Sequence, residues 1–245
     1  MIEQAVLLRS EGRWPSDLAI WHVAIPASEQ AIDVAVLDAS EHARAALYRQ
    51  DSDRRRFQAT RSALRNVLGR HLDIDPSSVR FKTGSRGRPA LRDTESALSF
   101  NVSHAGDHAL IALSDTRDVG IDVERIDPTL DWRTLLDLVC TPSERLLLSD
   151  TTLSPALLRQ RFFQCWTAKE ALLKARGLGI ADGLQSLSID FSAGVRPLAA
   201  TLGPSMAGMN DLRYCWLLDI PGYMGCLAFA SPATVASERI ACDGA

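Results

Sequence analysis

The sequence predicts an α+β fold made of two similar halves, and three observations carry that prediction. A helical stretch over 53–70 leads into short alternating strands and a hairpin. After a strand at 119–125, the same succession of helix, strand and hairpin returns and ends at residue 230. With 245 residues and 46% apolar side chains, the chain can fill a sizeable core. The halves are expected to meet near 115–118. That gives an N-terminal half of residues 1–116, a C-terminal half of 117–233 and a frayed tail of 234–245.

Residues 1–40 are mixed, with a strand expected from Leu18 to Val23. An arginine-rich segment follows, containing Arg44, Arg49, Arg54, Arg55, Arg56, Arg61 and Arg65. Within it Phe57, Leu64, Val67 and Leu68 share one helical face. Asp75-Pro76 marks a turn and Val79 to Lys82 a short strand. Thr83 to Pro89 is too rich in Gly and Pro for regular structure and is expected to be a loop. Leu98, Phe100 and Val102 alternate with Ser99, Asn101 and Ser103, which predicts a strand with one dry face. Ala105-Gly106-Asp107 turns it into the apolar partner Ala109 to Leu113.

The second half opens on Val119-Gly120-Ile121-Asp122-Val123-Glu124, a strand with its apolar side chains on one face and its acids on the other. Helical segments are expected at 131–139, 142–149 and 156–176. Strands follow at Leu187/Ile189/Phe191, Tyr214 to Asp219 and Tyr223 to Ala230, with a Pro221-Gly222 turn before the last.

Bulk properties exclude several classes. The net charge of −3 argues against a general nucleic-acid binder. Five cysteines with no C-x-x-C spacing suggest neither a disulfide framework nor a zinc site. No apolar run approaches the ~20 residues of a membrane span, and no basic start precedes an apolar stretch at the N-terminus. The expected location is the reducing cytoplasm.

The chemistry concentrates in two acidic segments. Asp122 and Glu124 stand two apart on a strand, about 6.6–6.8 Å between Cα atoms, so both carboxylates can reach one cation. Trp166, Glu170 and Lys174 stand four apart on a helix and share a face. A third carboxylate beside a lysine completes a candidate site for a hard cation next to a phosphate. Each piece has an ordinary explanation. Asp122 and Glu124 alone fit a solvated strand face, and Glu170–Lys174 alone fits an exposed ion pair worth roughly 0.3–0.5 kcal/mol. Ser103 and His104 can donate to a phosphate from a strand end, or simply close a turn. Gly87-Arg88-Pro89 allows close backbone approach to a flat ligand, or is a surface turn. No Walker loop, no G-x-G-x-x-G and no G-x-S-x-G elbow is present.

Order and spacing make the set specific. Gly87-Arg88-Pro89, Phe100-Asn101-Val102-Ser103-His104, Val119 to Glu124, Phe163 through Trp166-Thr167-Ala168-Lys169-Glu170-Ala171 to Lys174, and Gly177-Leu178-Gly179 follow one another within a likeness that runs from about residue 40 to 191 and more loosely into the final strands. This series resembles the 4′-phosphopantetheinyl transferases of the large, surfactin-synthetase-activating type. The resemblance implies a pseudo-dimeric monomer with coenzyme A in a cleft between the halves. It implies transfer of the phosphopantetheine arm to a serine of an apo carrier protein, with release of adenosine 3′,5′-bisphosphate. It implies that Asp122, Glu124 and Glu170 hold Mg²⁺, and that Lys174, Ser103 and His104 contact phosphates. Arg86, Gly87, Arg88 and Pro89 would line the adenine and Arg56 sit near the 3′-phosphate, with Glu170 the candidate base, directly or through a metal-bound water. The family often has lysine at the place of Arg88, its upstream basic residues match only His42 and Arg44 loosely, and Glu144 matches a family acid without an assigned role. An apolar patch of Ile126, Leu130, Trp132, Leu135 and Leu136 would meet the carrier protein, or else form helix core. Two other classes compete: a non-catalytic coenzyme A or carrier-binding module, and a magnesium phosphohydrolase.

Overall fold

The computed structural model describes residues 5–83, 89–92, 98–179, 183–197, 200–201 and 208–231. The N-terminal half contains β1 (Ala5–Leu7), β2 (Ala19–Ala24), α1 (Ala39–Ala46), α2 (Asp51–Leu72), β3 (Phe81–Thr83), β4 (Pro89–Leu91), β5 (Ser99–Ala105) and β6 (His108–Ser114). The C-terminal half contains β7 (Val119–Arg125), α3 (Leu136–Val139), α4 (Pro142–Leu148), α5 (Pro155–Ala175), β8 (Leu187–Ser188), β9 (Arg196–Pro197), β10 (Ala200–Thr201), β11 (Leu212–Leu217) and β12 (Tyr223–Ala230).

The repeat is visible in the topology. One sheet runs β1-β2-β6-β5 and the other β7-β12-β11-β9. In each, a first strand (β2 or β7) is followed by a long helix (α2 or α5). A hairpin then returns so that its second strand (β6 or β12) pairs with the first. The repeating unit is therefore strand, helix and hairpin.

Strand alternation stacks these units into four layers. Val23, Phe100, Ala109, Ile111 and Leu113 face α2, where Ala63, Leu64, Val67 and Leu68 cover them. Ile20, Leu110 and Ala112 point the other way, into a core shared with Val119, Ile121, Val123, Leu227 and Phe229 of the second sheet. The remaining face of that sheet packs on α5 through Met224, Cys226, Ala228, Ala168, Ala171 and Leu172. The inner strands are dry on both faces, which is why Ala109 to Leu113 reads as an unbroken apolar run.

Two local features set the spacing. At Gly120 any Cβ would overlap the Ala171 carbonyl oxygen and the Ala175 backbone, so glycine lets α5 lie directly on β7. Arg65 is fully buried and ties α2 to the chain before it, with Nε on Glu41 (2.7 Å) and an Nη on Asp38 (2.8 Å). That accounts for one member of the arginine-rich segment as structure. The helix α1 begins with a capping box between Asp38 and Glu41, a signal the apolar periodicity alone did not reveal.

The structure corrects several expectations. Helix α5, where Cys165, Ala168, Leu172 and Ala175 by their spacing would form a single buried face, is buried almost all round, because the 139–144 segment covers its far side. Lys169 Nζ donates to the Val139 carbonyl (2.7 Å) and to Glu144 (2.5 Å), and the Ile189 N–H donates to the other Glu144 oxygen (2.9 Å). Glu144 is thus a structural anion. The expected strand at 187–191 stops at Ser188, because the N–H groups of Ile189 and Asp190 go to Glu144 and to the Tyr214 hydroxyl. The strand expected at 79–82 lies at Phe81–Thr83, since Val79 closes a short 3-10 turn. Of the proposed carrier patch, Trp132 is core, and Ile126, Leu130, Leu135 and Leu136 pack against it half-buried. The exposed leucines nearby are Leu138, Leu146 and Leu147. Cys140, Cys165, Cys215 and Cys226 are buried and free. Cys242 and the 234–245 tail lie outside the described residues. Among the described residues no helix is long and apolar enough to cross a membrane.

Glu144→Gln leaves the buried Lys169 ammonium without its anion and should cost about 3–5 kcal/mol in urea unfolding. Gly120→Ala should cost about 1–3 kcal/mol through overpacking of α5 on β7. A loss below about 0.5 kcal/mol in either variant would remove the role given to that residue.

Candidate active site at the junction of the halves

Even-numbered residues of β7 face α5, so Gly120, Asp122 and Glu124 line up beneath it. The helix turns Glu170 and Lys174 toward the same place. Asp122 is 1% exposed. Its Oδ1 accepts from Ser103 Oγ (2.8 Å) and from Lys174 Nζ (2.5 Å). Its Oδ2 is buried without a hydrogen-bond partner among the described residues. Lys174 also pairs with Glu170 at 3.2 Å, and the Trp166 indole donates to the second Glu170 oxygen at 2.6 Å. Trp166 in turn stacks on Phe163, with ring planes 4° apart. The i,i+4 pair therefore has a buried carboxylate and a half-buried ammonium, not two solvated groups.

The acids strain against one another. Burial, then the charges of Asp122 and Glu170, push Glu124 up to about 8. Burial and Asp122 also raise Glu170, against the pull of Lys174 and the Trp166 hydrogen bond. Burial works against the Lys174 ammonium, but Asp122 and Glu170 outweigh it and hold its pKa above the ordinary lysine value. Three carboxylates share one lysine, and a buried carboxylate oxygen is left unpaired. The chemistry of that donor set suits a hard divalent cation, which Asp122, Glu124 and Glu170 would hold.

Across β5 lies a cavity of about 160 Å³, lined by Arg44, Tyr48, Phe57, Thr60, Arg61, Pro89, Val102 and His104, among others. The Arg44 and Arg61 guanidiniums lie 5.2 and 5.8 Å from the centre of the Phe57 ring. Thr60 Oγ1 is buried without a partner among the described residues. His104 joins the two regions. It follows Ser103 on β5, and its pKa is lowered by desolvation and then by the nearby Arg56 and Lys174.

Of the residues expected from sequence, Asp122, Glu124, Glu170, Lys174 and Ser103 come together, and His104 and Pro89 line the adjoining cavity. Arg56 does not line it; its Nε donates to the Gly106 carbonyl (2.8 Å) and it pairs with Asp53 (3.0 Å). Arg86, Gly87 and Arg88 lie outside the described residues. Sequence reasoning passed over Thr60 and gave Arg44 and Arg61 no firm role. The two arginines look like any solvated helix arginine until α1 and α2 are placed against β5.

Among the described residues, possible ligand atoms of Cys140, Glu144 and Cys165 lie within 4.8 Å of one another. Lys169 already supplies the positive charge there, and burial holds the Cys165 thiol well above its usual range.

The folded-state pKa of Glu124 lies above its ordinary 4.5. Its stabilising contribution is complete below that value and is lost as pH rises through about 8. The melting temperature of the chelator-treated protein should therefore fall between about pH 5 and pH 8, and Glu124→Gln should flatten that slope. An unchanged slope in the variant would place the titration elsewhere.

Comparison with known proteins agrees in both halves. Residues 22–116 match the family model for the 4′-phosphopantetheinyl transferase N-terminal region, and 118–212 that for the 4′-phosphopantetheinyl transferase superfamily. The chain is 40% identical over 169 residues to the 4′-phosphopantetheinyl transferase HetI of Nostoc sp., covering 67% of this chain and 70% of that protein. It is 30% identical over 221 residues to a phosphopantetheinyl transferase of Thraustochytrium sp., covering 85% and 72%. It is 29% identical over 132 residues to Sfp of Bacillus subtilis, covering 51% and 54%. A holo-ACP-synthase structure from Plasmodium yoelii overlaps at a TM-score of 0.33 and 17% identity, covering 46% of this chain and 92% of that one. The chain belongs to the 4′-phosphopantetheinyl transferases, with the pseudo-dimeric α+β fold expected of the large type.

Proposed function

We propose that this enzyme transfers the 4′-phosphopantetheine arm of coenzyme A to a serine hydroxyl of an apo carrier protein, requires Mg²⁺ and releases adenosine 3′,5′-bisphosphate. The observation that carries this reading is the pairing of the Asp122, Glu124, Glu170 and Lys174 cluster with an arginine-lined cavity one strand away. On this reading the N-terminal half, residues 1–116, takes the nucleotide. The C-terminal half, 117–233, performs the transfer, and one chain is sufficient.

Each residue then has a physical task. Arg44 and Arg61 offer charge-assisted hydrogen bonds to phosphate, and the Phe57 face beside them offers a flat apolar surface. The Thr60 hydroxyl, unpartnered among the described residues, gains a partner from the ligand. His104 is depressed toward the neutral form, and an adjacent phosphate draws it back to imidazolium. Lys174 keeps its proton and donates to the pyrophosphate. Asp122, Glu124 and Glu170 would hold Mg²⁺, which when bound would supply charge stabilisation to the pyrophosphate. Glu170, raised by its surroundings, takes the proton of the attacking serine hydroxyl. The Trp166 indole keeps that carboxylate oriented.

The test is intact-protein mass spectrometry of apo carrier proteins incubated with this protein, coenzyme A and Mg²⁺. The expected result is a gain of one phosphopantetheine that EDTA abolishes. Adenosine bisphosphate formed without carrier modification would instead support a phosphohydrolase. Asp122→Ala should lower transfer on the order of a hundredfold or more. Arg61→Ala should weaken coenzyme A binding by roughly tenfold, the size of one charged hydrogen bond. Full activity in Asp122→Ala would overturn the metal assignment.

A further inference from the structure

The two sheets leave an open edge on each side of the junction. β5 ends one sheet and β7 begins the other, and no backbone ladder joins them. Two N–H groups on the outer edge of β7 are nevertheless paired. Ser99 Oγ accepts from the Val119 N–H at 3.1 Å, and Asn101 Oδ1 accepts from the Ile121 N–H at 2.7 Å. Two residues further along β5, Ser103 Oγ donates to Asp122 Oδ1 at 2.8 Å. Side chains at alternate positions of β5 thus do the work of a strand partner, in step along β7.

Asn101 holds the decisive rung. It is 5% exposed and its bond is buried. The peptide it grips carries Ile121, whose neighbour Asp122 bears the unpaired buried oxygen. Gly120, on the other side, is pressed against α5. Ile121 itself is locked in the core between the sheets. Asn101 therefore fixes where the backbone of β7 sits relative to Ser103 and His104, which share its own strand. An ångström-scale shift of β7 would move Asp122 and Glu124 away from the place where the cavity side delivers its ligand.

We propose that Asn101 is a positioning residue for phosphopantetheine transfer: through the Ile121 N–H it sets the metal-side acids in register with the nucleotide-side residues Ser103 and His104. The proposal rests on the transferase reading above and assigns Asn101 no contact with substrate.

The test compares Asn101→Leu, similar in volume but without the acceptor, with Asn101→Asp, which keeps an oxygen in place, and Ser99→Ala. The last removes the equivalent bond at the far end of the seam, away from the acids. Transfer kinetics, coenzyme A affinity by calorimetry and melting temperature are measured for each. Asn101→Leu should lose on the order of tenfold to a hundredfold in kcat. Its coenzyme A dissociation constant should change by less than about threefold, since the cavity residues are untouched. Asn101→Asp should recover most of kcat. Ser99→Ala should lower the melting temperature with kcat held within about threefold. If Asn101→Leu does not fold, Asn101→Val, shorter, β-branched and also without an acceptor, carries the same expectation. Wild-type kcat in the acceptor-less variant, or a kcat loss in Ser99→Ala equal to that in Asn101→Leu, would overturn the proposal. Absence of transfer by the wild-type protein would instead bring down the transferase reading itself.

Discussion

The junction between β5 and β7 is the constraint on which the rest of the site depends. An outer strand exposes N–H groups, and burying one unpaired costs about 1–3 kcal/mol. Here the buried edge is satisfied by Ser99 and Asn101 side chains. A continuous ladder would have merged the halves into one sheet and closed the gap between them. Side-chain bridging keeps the strands close, puts Ser103 on Asp122 and leaves His104 facing the adjoining cavity. Polar residues on a strand that is otherwise apolar are therefore neither decoration nor surface. They link fold to site.

The second dependence is electrostatic. Lys174 neutralises Asp122 and leans on Glu170 and Asp122 together, but one ammonium cannot balance three carboxylates. The excess appears as the raised Glu124 and Glu170 and as the unpaired Asp122 oxygen. A cluster meant only for stability would not keep such a debt, because an apolar replacement of similar volume is often neutral or better. The Lys169–Glu144 pair makes the contrast. Both oxygens of its carboxylate are engaged, by an ammonium and two backbone N–H groups, and its lysine also reaches a carbonyl.

Much of this was legible in the sequence because the relevant physics is local. Alternation placed Asp122 and Glu124 on one face of β7, and four-residue spacing aligned Trp166, Glu170 and Lys174 along α5. Hairpin patterns located β5–β6 and β11–β12 to within two residues. What was not legible is long-range. Arg56, Arg61 and Arg65 are neighbours on one helix, yet one meets the Gly106 carbonyl, one lines a cavity and one is buried in an ion pair. Their fates are decided by α1 and β5, which no periodicity in α2 encodes. Glu144 likewise acquires its role from Lys169 and Ile189, 25 and 45 residues away.

The two halves also show how a repeated unit diverges into complementary parts. Both are strand, long helix and hairpin with the same pairing order, and both pack one sheet face on the shared core. Helix α2 turns guanidiniums toward the strand end, whereas α5 turns Glu170 and Lys174 toward acids on β7. The first arrangement suits an anion directly. The second suits an anion through a cation. A phosphate-rich molecule laid across the junction would meet both in sequence, and transfer would require them to be held in register. On the proposed reading, the side-chain seam of β5 converts a duplicated fold into a single site.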